Sequence, residues 1–146
     1  MLPDVRSANR EPFPSIRLAG LMWEGTFKQA VAGVIGGVMS ELRRRLTLTP
    51  SAQIFCVSWT DRSDGFRHFC GVKTEANIVV QGLELIEISA LECLTMPHSG
   101  GDASNAYAFL MAERDRLGLR AYHDPSMIDE HLEDGAMRLW LAIDTK

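Results

Sequence analysis

A chain of 146 residues has the size of one ordinary domain and is long enough to bury a core. Its 46% hydrophobic and 23% charged residues exclude a wholly disordered chain, and a formal net charge of -4 argues against a nucleic-acid surface. No stretch approaches the roughly 18 apolar residues of a membrane span, and Cys56, Cys70 and Cys93 lack the CxxC spacing of a disulfide framework or zinc knuckle.

Residues 1–14 are polar and broken by Pro3, Pro12 and Pro14. They read as a flexible lead without the apolar core of a secretory signal, followed by one domain over 15–146. Residues 16–23 form a strand that is apolar on both faces, and Thr26 is placed to cap a helix. From Phe27 the period changes: Phe27, Val31, Val34, Ile35, Val38, Met39, Leu42 and Leu46 recur at three- and four-residue steps. That spacing predicts a helix over 27–46, ending in Arg43, Arg44 and Arg45, where cations are favoured. Gly33, Gly36 and Gly37 each cost this helix about 1 kcal/mol against alanine, and close packing on a sheet is the expected compensation.

Thr49-Pro50 ends the helix. Over 53–60, Phe55, Val57 and Trp59 alternate with Ile54, Cys56 and Ser58; over 66–75, Phe66, His68, Cys70 and Val72 share one side. The polar turn at 61–65 makes the two strands a hairpin. Residues 83–96 read as one long strand, bent near Ala90, and 97–102 as a loop, where Asp102 or Ser104 can cap a helix over 103–117. Gly118 suits the position after that helix. Short strands follow at 119–122, 127–132 and 136–143. Residues 18–46 and 89–117 run in parallel as strand, glycine turn and helix, which gives a loose internal repeat of pattern.

Three stretches point to a family. Ile54-Phe55-Cys56-Val57-Ser58-Trp59-Thr60-Asp61 with Phe66-Arg67-His68-Phe69-Cys70-Gly71-Val72-Lys73 is the first. Gly82-Leu83-Glu84-Leu85-Ile86-Glu87-Ile88-Ser89-Ala90, continuing to His98-Ser99-Gly100, is the second. Ile128-Asp129-Glu130-His131-Leu132 with Leu139-Trp140-Leu141-Ala142-Ile143 closes the pattern. Over residues 16–143 the chain resembles the GyrI-like effector-binding domains, the ligand modules of AraC-type and multidrug-sensing activators and of free-standing relatives. The resemblance implies an α+β fold of two βαββ repeats related by pseudo-two-fold symmetry. It implies an antiparallel sheet, two main helices and a central cleft that takes an organic ligand, often a lipophilic cation. Glu130 matches the family's acidic residue near the closing strands, and Trp59 its aromatic after the first hairpin strand. His68 stands near a common tyrosine, Cys93 replaces a common aromatic, and Leu132 stands where an aromatic usually follows the acid.

An aromatic wall with one carboxylate attracts a desolvated cation, each ring face contributing about 0.5–2 kcal/mol. Trp23, Trp59, Phe66, Tyr107 and Trp140 are the candidates for the wall, with His68 beside them and Glu130 as the acid. Trp140 points away from Met137, Leu139, Leu141 and Ile143, together with Arg138 and Ala142. The four histidines show no metal spacing, and no HExxH, P-loop or GxGxxG occurs. Cys70 and His68 share a face without an orienting acid, so Cys70 reads as a buried free cysteine. No catalytic residue, cofactor or metal is therefore expected. The leading expectation is a cytoplasmic domain that senses or sequesters a small organic ligand, without contact to nucleic acid or membrane. A regulatory protein partner and a homodimer both stay open. The alternatives are hydrolysis of strained electrophiles, with Glu130 beside Tyr107 or Tyr122, and a toxin- or gyrase-type protein-interaction role.

Overall fold

The computed structural model describes residues 8–31, 34–46, 53–60, 63–74, 82–100, 102–132 and 135–145. In chain order they form β1 (Asn9–Phe13), β2 (Ile16–Thr26), α1 (Phe27–Val31), α2 (Val34–Leu46), β3 (Ile54–Trp59), β4 (Gly65–Lys73) and β5 (Glu84–Ile88). β6 (Leu91–His98), α3 (Ser104–Arg116), β7 (Arg120–Ala121), β8 (Met127–His131) and β9 (Met137–Asp144) follow. All nine strands join one antiparallel sheet of order β1-β6-β9-β8-β3-β4-β2-β5, with β7 beside β9. The α+β class expected from the sequence is present.

Two boundaries differ from expectation. The segment read as a flexible lead holds β1, which pairs with β6 from Asn9 opposite Thr95 to Phe13 opposite Leu91 and buries Phe13. Proline tolerates an edge strand, so Pro12 does not prevent the pairing. The apolar run at 83–96 is two strands, β5 pairing with β2 and β6 with β9, separated at Ser89 and Ala90. The helix expected over 27–46 appears as α1 and α2; Gly33 and the Thr49-Pro50 stop lie outside the described residues.

Local chemistry sets the helix ends. The Gln29 amide donates to the Thr26 hydroxyl, and the Gln29 side chain accepts from the Thr26 amide at 2.8 Å, a reciprocal cap that starts α1. Asp102 accepts from the Ser104 amide at 2.9 Å ahead of α3, and Gly118 follows that helix at φ +70. Gly37 does not fit the packing expected of it, because a Cβ built there meets nothing within 4 Å.

Alternation assigns every strand residue to one of two faces. On one face α1 and α2 lie over β2 and β4, and α3 lies over β6 and β9, so the middle pair β3 and β8 runs between the helices. Leu42 packs there with Ala19, Ile54, Cys56 and Cys70; Ala106, Tyr107 and Leu110 pack with Leu94, Leu139 and Leu141. Among the described residues the other face carries no helix, yet it holds the largest cluster, with Phe13, Leu18, Phe55, Trp59, Phe69 and Trp140 all buried. With Ile88 of β5, these residues come from both edges and the middle of the sheet. Phe13 meets Trp140 edge-on at 5.0 Å and Phe55 at 6.2 Å. Such contacts require the sheet to curl around its own aromatic core.

Candidate functional site

The expected site residues divide between the two faces. Glu130, Trp59 and Trp140 lie on the helix-free face, and Trp23, Phe66, His68 and Tyr107 lie on the helix side. A one-residue step along a strand reverses the side chain, and Glu130 is one step past Asp129.

On the helix-free face the aromatics are core. Trp59 donates its indole N–H to Asp124 at 3.1 Å, with the Arg67 guanidinium over its ring at 5.1 Å. Trp140 donates to Glu130 Oε1 at 3.1 Å, and the Gln53 side-chain amide donates to Glu130 Oε2 at 2.6 Å. Both oxygens of Glu130 are thus engaged by the protein, and its neighbours fill the interior of the curled sheet. This carboxylate serves to satisfy a buried indole donor.

The helix side is built differently. Trp23 stands opposite His68 in the β2–β4 register and meets Phe66 at 5.4 Å. Phe27, 47% exposed at the start of α1, lies 5.6 Å from Phe66, and His68 meets Phe66 edge-on at 6.2 Å. Trp23 and Phe66 are half-buried, so this aromatic row is reached by solvent. His68 is buried and bonds through Nδ1 to the Ser58 hydroxyl at 2.9 Å. Ser58 pairs across β3–β8 with Met127, and Asp129 lies two residues further along β8 on the same face.

Asp129 is the carboxylate of this side. It is half-buried, and the Tyr107 hydroxyl donates to it from α3, with the Ile128 carbonyl 3.2 Å from the same hydroxyl. Burial raises the Asp129 pKa above the ordinary carboxyl value, against the lowering effect of the Tyr107 hydrogen bond. Tyr107 is pushed well above its ordinary value by burial and then by the Asp129 charge. His131, next on this face, is held neutral more readily than a free imidazole because it too is desolvated.

Cys56 completes the patch. It sits directly opposite Cys70 and next to Asp129 in register, and the two sulfurs are 3.1 Å apart. The Cys56 hydrogen bond, followed by burial and the charge of Cys70, raises the Cys56 thiol well above its ordinary value. Cys70 is drawn down to about 6, first by its hydrogen bond with Cys56 and also by His68. Reading one strand at a time finds Cys70 beside His68; finding Cys56 needs the hairpin register. Two surface depressions, about 320 Å³ at Arg17 and Glu87 and about 340 Å³ at Leu91 and Tyr122, contain none of the residues expected to bind the ligand.

No family model and no curated protein matches the chain. Solved structures do. SAV2435 bound to tetraphenylphosphonium is similar at TM-score 0.69 and 11% identity, over 95% of this chain and 94% of that one. The EcmrR C-terminal domain is similar at TM-score 0.69 and 15% identity, over 97% and 99%. A hydrolase encoded by lin2189 from Listeria innocua is similar at TM-score 0.54 and 13% identity, over 95% and 92%. The fold is that of the GyrI-like effector-binding domains. No helix among the described residues is long and apolar enough to cross a membrane.

Proposed function

We propose that the chain binds a small organic ligand on the helix side of its sheet, to sense or sequester it, and that the ligand is lipophilic and carries positive charge. One observation carries this reading: a solvent-reached row of Phe27, Phe66 and Trp23 shares a face with the half-buried carboxylate of Asp129. Ring faces and a desolvated acid together select a cation with apolar substituents. The binding of tetraphenylphosphonium by a protein of the same fold supports this class of ligand. Strand order supports it too, since β2-β4-β3 meets β8-β9-β6 in reversed succession. That order suits two βαββ units with a cleft between their helices, floored by β3 and β8. In this reading Asp129 takes the place that the family resemblance implies for Glu130, while Trp59 and Trp140 support the sheet from behind.

The experiment is a thermal-shift titration of the parent and Trp23→Ala with tetraphenylphosphonium and with neutral planar compounds. The cation raises the melting temperature of the parent in a saturable way, and the Trp23→Ala response is weaker. A parent that responds equally to neutral compounds would remove the charge preference.

The Tyr107–Asp129 pair favours a second reading, hydrolysis of an electrophilic small molecule. A carboxyl with a raised pKa beside a phenol is the arrangement a general acid requires, and a protein of the same fold is a hydrolase. Turnover of strained electrophiles by the parent, abolished by Tyr107→Phe, would establish it.

A further inference from the structure

We propose that Cys56, Cys70 and His68 form a binding site for a thiophilic divalent metal ion, with zinc as the ion. One ligand atom from each of the three lies within 4.8 Å of the other two, and all three residues are buried. They come from two strands of one hairpin. Register sets Cys56 opposite Cys70 and Ser58 opposite His68, so the face presents a two-by-two block of two thiols, an imidazole and a hydroxyl.

The donor set suits zinc. Two thiolates neutralise a dication, and sulfur with imidazole nitrogen in tetrahedral geometry is the zinc combination. Bonds of about 2.3 Å to a tetrahedral ion separate two sulfurs by about 3.8 Å. The pair stands at 3.1 Å, so the thiols open by roughly 0.7 Å, within the reach of small χ1 adjustments. A disulfide instead needs the sulfurs to close to about 2.05 Å, and gives no role to an imidazole.

His68 is also oriented as a ligand is. The Ser58 hydroxyl engages Nδ1 at 2.9 Å, which fixes the ring with one of its nitrogens within 4.8 Å of both sulfurs. Three protein ligands leave the fourth position to water, or to Asp129, which register places beside Cys56. Ser58 and Asp129 are half-buried, so solvent reaches the rim of the block. This site stands on the hairpin and does not depend on the organic-ligand reading.

The test is a titration of the reduced protein with cobalt(II) chloride in the absence of air, followed by zinc chloride. One equivalent of cobalt gives a thiolate-to-cobalt charge-transfer band and intense visible bands, and zinc abolishes both. Cys56→Ser and Cys70→Ser each weaken the charge-transfer band, the double substitution removes it, and Ser58→Ala binds about tenfold more weakly. Should the cysteine variants not fold, the parent alone decides: bound zinc protects two thiols of the folded protein from a thiol-modifying reagent. A parent without the charge-transfer band overturns the proposal. So does a band that survives both cysteine substitutions, or a Cys56–Cys70 disulfide that forms in air whether or not zinc is present.

Discussion

Two neighbouring acids on β8 show what single side chains decide. Glu130 receives two side-chain donors in the helix-free core, whereas Asp129 meets Tyr107 beneath α3. The sequence showed the alternation that separates them, because Phe55, Val57 and Trp59 oppose Ile54, Cys56 and Ser58 as expected. It did not show which face the helices cover, since both faces of β3 are largely apolar and each face of β8 carries an acid. Glu130, the acid to which the family resemblance points, faces the side of the strand opposite to the aromatic row. Asp129 also has a pH signature. Its folded pKa lies above the ordinary 3.8, so the native state holds a proton that the unfolded chain has released. Stability from this group is present below that value and is lost as pH rises through the folded pKa. Urea denaturation of parent and Asp129→Asn from pH 4 to pH 7 checks it. The parent loses stability relative to the variant as pH rises; a constant difference contradicts the assignment. Thr95 offers a second test, since its hydroxyl is fully buried with no hydrogen-bond partner among the described residues. Thr95→Val keeps the shape and removes the orphan, so stability rises by about 1 kcal/mol in the same assay.

Among the elements, those with a strong period were legible. The β3–β4 hairpin, α3, β8 and β9 stand within a residue or two of expectation, because apolar spacing and turn residues agree in each. β1 was not legible. Its polar residues and Pro12 deny it an apolar stripe, and only the pairing to β6 with burial of Phe13 makes it a strand. The split of 84–98 into β5 and β6 was concealed for the converse reason, since both pieces are apolar and only Ser89 and Ala90 part them. In α2, a side chain at Gly37 would point into open space. Gly37→Ala therefore removes backbone freedom from the unfolded chain at no steric cost and adds about 0.5–1 kcal/mol, seen as a higher urea midpoint. A fall in the midpoint would mean that the glycine is needed for close approach.

At the scale of the whole molecule, one curled sheet separates two environments. One face closes on Phe13, Phe55, Trp59 and Trp140 and holds the fold together. The other carries the helices, the aromatic row and the buried or half-buried groups Cys56, Cys70, Tyr107, Asp129 and His131, whose pKa values burial and mutual contacts displace. On the proposed reading, stability and recognition rest on opposite sides of the same strands. The most direct measurement is tetraphenylphosphonium affinity, by isothermal titration calorimetry, for the parent, Asp129→Asn and Glu130→Gln. Binding on the helix side predicts that Asp129→Asn weakens affinity about tenfold or more, worth about 1.4 kcal/mol, while Glu130→Gln binds as the parent does. Equal affinity in the parent and Asp129→Asn, with loss in Glu130→Gln, would contradict it and place the ligand in the aromatic interior.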